Sequence, residues 1–144
     1  MHKHNQAIID LEIWHRWVPN FDRLIDKYNF KRLDDKIDTL NIFLISITGN
    51  QKLKICFKSA WAHRNSYESF RMHLIAQLSE RYGSEFYTKW SFFKIENSNY
   101  LKWLSAESSG WTDMLNLNHF VIMGIDFIVD VVAAEEPTFK ILIK

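Results

Sequence analysis

Apolar residues recur along this chain with two periods, and the switch between them divides it into segments. In residues 6–18, Ile9, Ile13 and Trp17 fall at four-residue spacing with Trp14 alongside, which predicts a helix with one apolar face. Pro19 ends it, because proline disfavours helical geometry in the residue before it. Asn20 then caps a second predicted helix. Asp22 sits in its favourable first turn, and Phe21, Leu24, Ile25 and Tyr28 follow at i, i+3, i+4 and i+7. Residues 31–39 are charge-rich, with Leu33, Ile37 and Leu40 at helical spacing, and read as a short helix or a loop.

Beyond that point the period drops to two. The run from Ile42 to Ile47 is β-branched and aromatic and reads as a strand buried on both faces. In the next run Leu53, Ile55 and Phe57 alternate with Lys54, Cys56 and Lys58, as in a half-exposed strand. Thr48-Gly49-Asn50-Gln51 between them predicts a hairpin. Asn65 stands three residues before Glu68, a capping-box-like pair. Phe70, Leu74, Leu78 and Tyr82 then form a helical stripe that Gly83 stops.

Residues 86–95 are aromatic and predict a strand, after which Asn97 or Ser98 caps a short helix carrying Tyr100, Leu101, Trp103 and Leu104. Residues 105–118 read as a loop. His119–Met123 and residues 126–132 form a second predicted hairpin, and residues 139–143 a last strand. Paired strands between helices, without regular βαβ alternation, predict an α+β fold. Its mainly antiparallel sheet, two hairpins plus one or two further strands, packs against helices. No linker or internal repeat interrupts residues 1–144, so one domain is expected.

Composition narrows the function. Of 144 residues, 47% are hydrophobic and the net charge is +1, which excludes intrinsic disorder and argues against a protein devoted to coating nucleic acid. Residues 1–72 carry 12 of the 18 basic residues, while the acidic ones divide almost evenly, 8 and 9. The single cysteine, Cys56, excludes an internal disulfide and fits a reducing compartment. No signal-peptide core is visible, and the apolar runs fall short of the ~20 residues a spanning helix needs. A cytoplasmic protein without a membrane span is expected.

Candidate chemistry is sparse. Cys56 with His63 or His119, and Asp126 or Asp130 behind them, would suit a thiol-dependent hydrolase or transferase. A lone strand cysteine is more often a small buried hydrophobe. His2 and His4 can capture a metal adventitiously, while His15, His63, His73 and His119 lack ligand spacing. The four glycines are isolated, so no phosphate-binding loop is present. No metal and no cofactor are expected.

Asp126 and Asp130, four apart in one strand, would lie ~13 Å apart and so form no acid–base dyad. They read as a solvent-facing stripe, or as inward charges that blunt an edge strand. The alternating charges of Lys31, Arg32, Asp34, Asp35, Lys36 and Asp38 read as a solvated face. Lys52, Lys54 and Lys58, with Phe57 and Trp61 nearby, form a candidate single-strand nucleic-acid surface, set against lysines that merely protect a strand edge. Two polar segments, 59–65 and 108–114, each carry a tryptophan. Trp61, Arg64 and Trp111 are candidate interface anchors, with His63 and Asp113 at the rim; the alternative is that each tryptophan folds back over the core.

The second half carries a resemblance, in Asn97-Ser98-Asn99-Tyr100-Leu101-Lys102-Trp103-Leu104, Asn118-His119-Phe120-Val121-Ile122, Ile128-Val129-Asp130-Val131-Val132 and the ending Glu136-Pro137. It resembles small bacterial immunity proteins that guard against polymorphic toxins, such as those of contact-dependent inhibition systems. That resemblance implies a non-catalytic protein that binds and neutralises a toxin domain. Immunity proteins against nuclease toxins are often strongly acidic; this neutral chain departs from them, which calls for a different toxin or a locally acidic patch. A single-stranded nucleic-acid module and a small Cys/His-dependent enzyme are the alternatives, and a homodimer stays open.

Overall fold

The computed structural model describes residues 11–21, 23–25 and 27–143. Asp22, His2, His4 and the first part of the predicted N-terminal helix, with Ile9, lie outside the described residues. The described residues form nine strands and three α-helices. One antiparallel sheet has five strands. Its order is β1 (Ile13–Arg16), β6 (Phe92–Glu96), β7 (Asn118–Met123), β8 (Phe127–Ala133) and β5 (Ala60–Tyr67). The other, also antiparallel, runs β2 (Tyr28–Lys36), β3 (Thr39–Ser46), β4 (Lys52–Lys58) and β9 (Thr138–Ile143). The α+β expectation holds, with more sheet than two hairpins and a spare strand.

Period-2 alternation explains the layering. Leu40, Ile42 and Leu44 of β3 and Leu53, Ile55 and Phe57 of β4 face Phe92, Phe120, Ile122, Val129 and Val131 of the five-stranded sheet, forming the core between the sheets. The intervening residues Phe93, Val121, Met123 and Ile128 point the other way. They meet α1 (Met72–Tyr82) through Ile75 and Leu78, and α2 (Glu85–Thr88) through Phe86 and Tyr87. The five-stranded sheet is thus the middle of three layers, which is why β7 and β8 are buried on both faces. α3 (Asn99–Glu107) completes the outer layer, with Ser98 Oγ accepting from Leu101 N at its start.

Several predicted elements differ. Residues 13–16 are a strand. Trp14 and Trp17, three apart, serve opposite faces of the sheet, Trp14 under the helices and Trp17 between the sheets. Ile13, expected on the apolar face of a helix, is exposed. Among the described residues of the second predicted helix none is helical; Phe21 and Leu24 drape over the inter-sheet core and Tyr28 opens β2. β2 then runs to Lys36 where a helix or loop was expected. A bulge between Phe30 and Arg32 makes the inward residues 28, 30 and 33, which hides the strand period.

β3 is buried on one face only, not both. Segment 59–65 is edge strand β5, not a loop, and Asn65 lies within it; the helix starts later, with Arg71 at its cap. Gly83 does stop α1, donating to Ser79 O at a positive φ. The front of the predicted 86–95 strand is α2, and the expected loop after Ser105 holds the end of α3 and a 3-10 turn over Trp111–Leu115. Among the described residues no helix is long and apolar enough to cross a membrane.

Candidate functional site

The outer face of the five-stranded sheet carries a polar group where β5, β7, β8 and α3 meet. Register places Arg64 of β5 directly opposite Asp130 of β8, and His119 of β7 one diagonal step from Asp130. All three side chains share the helix-side face with Val121. His119 Nε2 lies 2.7 Å from Asp130 Oδ1, and its Nδ1 2.7 Å from Ser98 Oγ. Arg71 Nη1 and Arg64 Nε donate to Asp130 Oδ2 at 2.7 and 3.2 Å. Asp130, His119 and Ser98 are buried. A buried carboxylate is tolerable only with partners of this kind.

Burial alone would push the Asp130 carboxyl up. The hydrogen bond and charge of His119, with the charges of Arg71 and Arg64, overcome it and hold the group at about 2. Asp130 is therefore a carboxylate at neutral pH. This corrects the reading of Asp126 and Asp130 as a solvent-facing stripe or an edge guard. Asp126 sits exposed in the turn before β8, whereas Asp130 is buried on an interior strand.

Hydroxyl, imidazole and carboxylate thus stand in a line, as in acyl-transfer enzymes. Ser98 Oγ, however, is buried and already caps α3, so in this arrangement its hydroxyl serves the fold. Cys56 has no part in it. It lies on the outward face of β4, between Asn41 and Thr138, while His119 is on the far side of the other sheet. The core between the sheets separates thiol from imidazole. Among the described residues no three His, Cys, Asp or Glu side chains converge as metal ligands.

Arg64 joins this buried group to the surface. Its guanidinium lies over the Tyr100 ring, 4.2 Å from the centroid, and Tyr100 stacks on Trp103 at 6.3 Å. Tyr100 also meets His119 edge to face. On the same strand, a bulge between Ala60 and Ala62 takes Trp61 out of register. Trp61 there meets Trp111 edge to face, ring centroids 6.3 Å apart. Trp61, Trp103 and Trp111 are each more than half exposed.

No family model, curated protein or solved structure matches the chain.

Of the five residues predicted to bind a partner, Trp61 and Trp111 touch, and Arg64 follows Trp61 along β5. Asp113 is exposed in the 3-10 turn that carries Trp111. His63 goes elsewhere: it faces the opposite way from Arg64 and pairs with Asp35 Oδ2 of β2 at 2.9 Å, tying the two sheet edges together. Tyr100 and Trp103 were not singled out as site residues, and neither was the His119–Asp130 pair as a unit. The predicted second hairpin held the signal for that pair, since it places residues 119 and 130 on adjacent strands. Among the lysine-rich hairpin residues, Phe57 is wholly buried between the sheets and Trp61 lies on the other sheet; the ring beside Lys54 is Phe43.

Proposed function

We propose that the chain is a non-catalytic binding protein that neutralises a bacterial toxin domain in the cytoplasm, with Trp61 and Trp111 as its anchors. The observation that carries this reading is the pairing of two half-exposed tryptophans from distant parts of the chain into one platform. A tryptophan needed only for the core would be covered; aromatic rings and arginine concentrate binding energy at interfaces. Arg64 and Trp103 extend the platform on either side of the buried Tyr100 ring, and the Asp130 group beneath holds Arg64 in place before a partner arrives. Such preorganisation lowers the ordering cost of association. The sequence resemblance to immunity proteins names the class of partner. The burial of the Ser98–His119–Asp130 line favours a structural over a catalytic role.

The test is co-expression with the product of the adjoining reading frame. A 1:1 complex and rescue of growth are expected. Trp61→Ala and Trp111→Ala should each weaken the complex by about 2 kcal/mol or more, the range of interface hot spots, with melting temperatures unchanged. A neighbouring product that is harmless and does not bind, or a complex indifferent to both substitutions, would sink the reading.

A further inference from the structure

We propose that the outward face of the four-stranded sheet binds single-stranded nucleic acid. This surface is on the opposite side of the molecule from the helix layer and is independent of the tryptophan platform. Register places Arg32 opposite Phe43, Phe43 opposite Lys54, and Lys54 opposite Lys140. One row across the sheet therefore carries three cations and one ring. Lys36, Lys52 and Lys58 share the face, and Asp34 is its one carboxylate among the strand residues, engaged by Arg32 at 3.7 Å. Among the described residues none of these five lysines forms an ion pair.

Three features favour a polyanion as occupant. Like charges directly opposite on neighbouring strands, as at Lys54 and Lys140, destabilise a sheet, and a bound phosphate would relieve that repulsion. β4 is an interior strand, so its lysines do not guard an edge. Lys54 and Lys140 stand about 5 Å apart across strands and Lys52 and Lys54 about 7 Å apart along β4, so neighbouring phosphates of one strand can be met together.

The ring selects a single strand over other polyanions. Arg32 Cζ sits 4.1 Å above the Phe43 centroid and Lys54 Nζ flanks it. A guanidinium plane seated on a ring is a platform on which an unstacked base can lie. At the edge of β2, Arg32 also lines an open groove of about 510 Å³ that holds Lys31, the exposed Tyr67 and one exposed carboxylate, Asp126. A duplex reader must enter a groove about 12 Å wide, and four strands at about 4.8 Å spacing are too broad for that. A lipid surface calls for a cluster of protruding apolar side chains, whereas Phe43 is half-covered and the exposed Ile37 and Leu142 stand at opposite ends of the sheet.

Fluorescence anisotropy with a labelled 12-nucleotide single strand tests this, against a duplex of the same sequence, poly-glutamate and phosphatidylserine vesicles. The single strand should bind most tightly, and its affinity should fall roughly 20-fold between about 50 and 150 mM salt if some four phosphates are neutralised. Lys54→Gln with Lys140→Gln should flatten that salt dependence. Phe43→Ala should leave the slope alone but cost at least about fivefold for the single strand, the lower end for one lost base stack. Arg32→Ala, at an exposed position, should cost at least the same factor for the single strand, with a somewhat shallower slope, and serves if Phe43→Ala fails to fold. Trp61→Ala should change none of this, which keeps the result separate from the toxin-binding reading. No binding at low salt, equal or tighter binding to duplex, polypeptide or vesicle, or indifference to both Phe43→Ala and Arg32→Ala would overturn the proposal.

Discussion

His119 Nε2 stands 2.7 Å from Asp130 Oδ1 on the helix-side face of the middle sheet, and both residues are buried. Through this contact a carboxylate on β8 holds together β5, by Arg64, the start of α3, by His119 and Ser98, and the turn before α1, by Arg71. The pair is the junction where the strand layer is fastened to the helices.

Acid stability should report on that junction. The folded carboxyl sits at about 2, below the ~4 of an unfolded aspartate. Its contribution, on the order of 2 kcal/mol, is complete above about pH 4 and is lost as pH falls through the folded value. Asp130→Asn should cost about 3 kcal/mol at pH 7, because Arg71 loses its buried partner. The gap between variant and wild type in denaturant unfolding should then narrow between about pH 4 and 2. A gap that stays constant over that range would show that Asp130 is not the group responsible.

What the sequence made legible follows from burial pattern. The hairpins β3–β4 and β7–β8, the stop at Gly83 and the cap at Ser98 were readable because alternation and capping chemistry are local. β1 imitates a helix because Ile13 and Trp17, four apart with Trp14 between them, resemble one apolar face, whereas Ile13 is exposed and Trp14 and Trp17 fill different cores. β2 was misread because its bulge breaks the alternation. β5 is an edge strand with polar side chains on both faces, and no period marks such a strand. The Trp61–Trp111 contact could not be read at all, since it depends on β5 pairing with β8 and on the turn after α3. Trp61, Trp111 and Arg64 were nonetheless identifiable as residue types suited to an interface.

Lys27 should produce a rise in stability at alkaline pH. Its ammonium is buried and donates to the carbonyls of Tyr87 and Trp90. Burial lowers its pKa to about 8, with Glu68 opposing. Between about pH 8 and 10.5 the unfolded chain holds the proton more tightly than the folded one, so folding becomes more favourable as pH rises, by up to about 3 kcal/mol. Tyr100 works in the other direction, since burial raises its pKa. Subtracting the pH profile of Lys27→Met from that of wild type removes the tyrosine contribution and should leave the rise. A flat difference would remove Lys27 from the account.

Gly124 should tolerate no side chain. It lies at the β7–β8 turn, where its N–H donates to Phe127 O at 2.8 Å. A Cβ built there would stand 2.6 Å from Phe30 Cδ2, 3.0 Å from Phe30 Cε2 and 3.1 Å from Asn29 Oδ1. The backbone at Gly124 is not left-handed, so the obstacle is steric and not conformational. Moving Phe30 aside would cost its edge-to-face contact with Phe127 at 5.4 Å and its packing against the inter-sheet core. Gly124→Ala should therefore cost about 1–3 kcal/mol, as overpacking does, read as a lower denaturant midpoint with unchanged slope. Removing the obstruction should restore tolerance: in Phe30→Ala the added methyl should cost at least about 1 kcal/mol less than in wild type, a coupling of the size expected for residues in contact. If Gly124→Ala instead stabilises the protein by stiffening the unfolded chain, or if the two substitutions are strictly additive, the close approach of Phe30 to this turn is not what requires glycine.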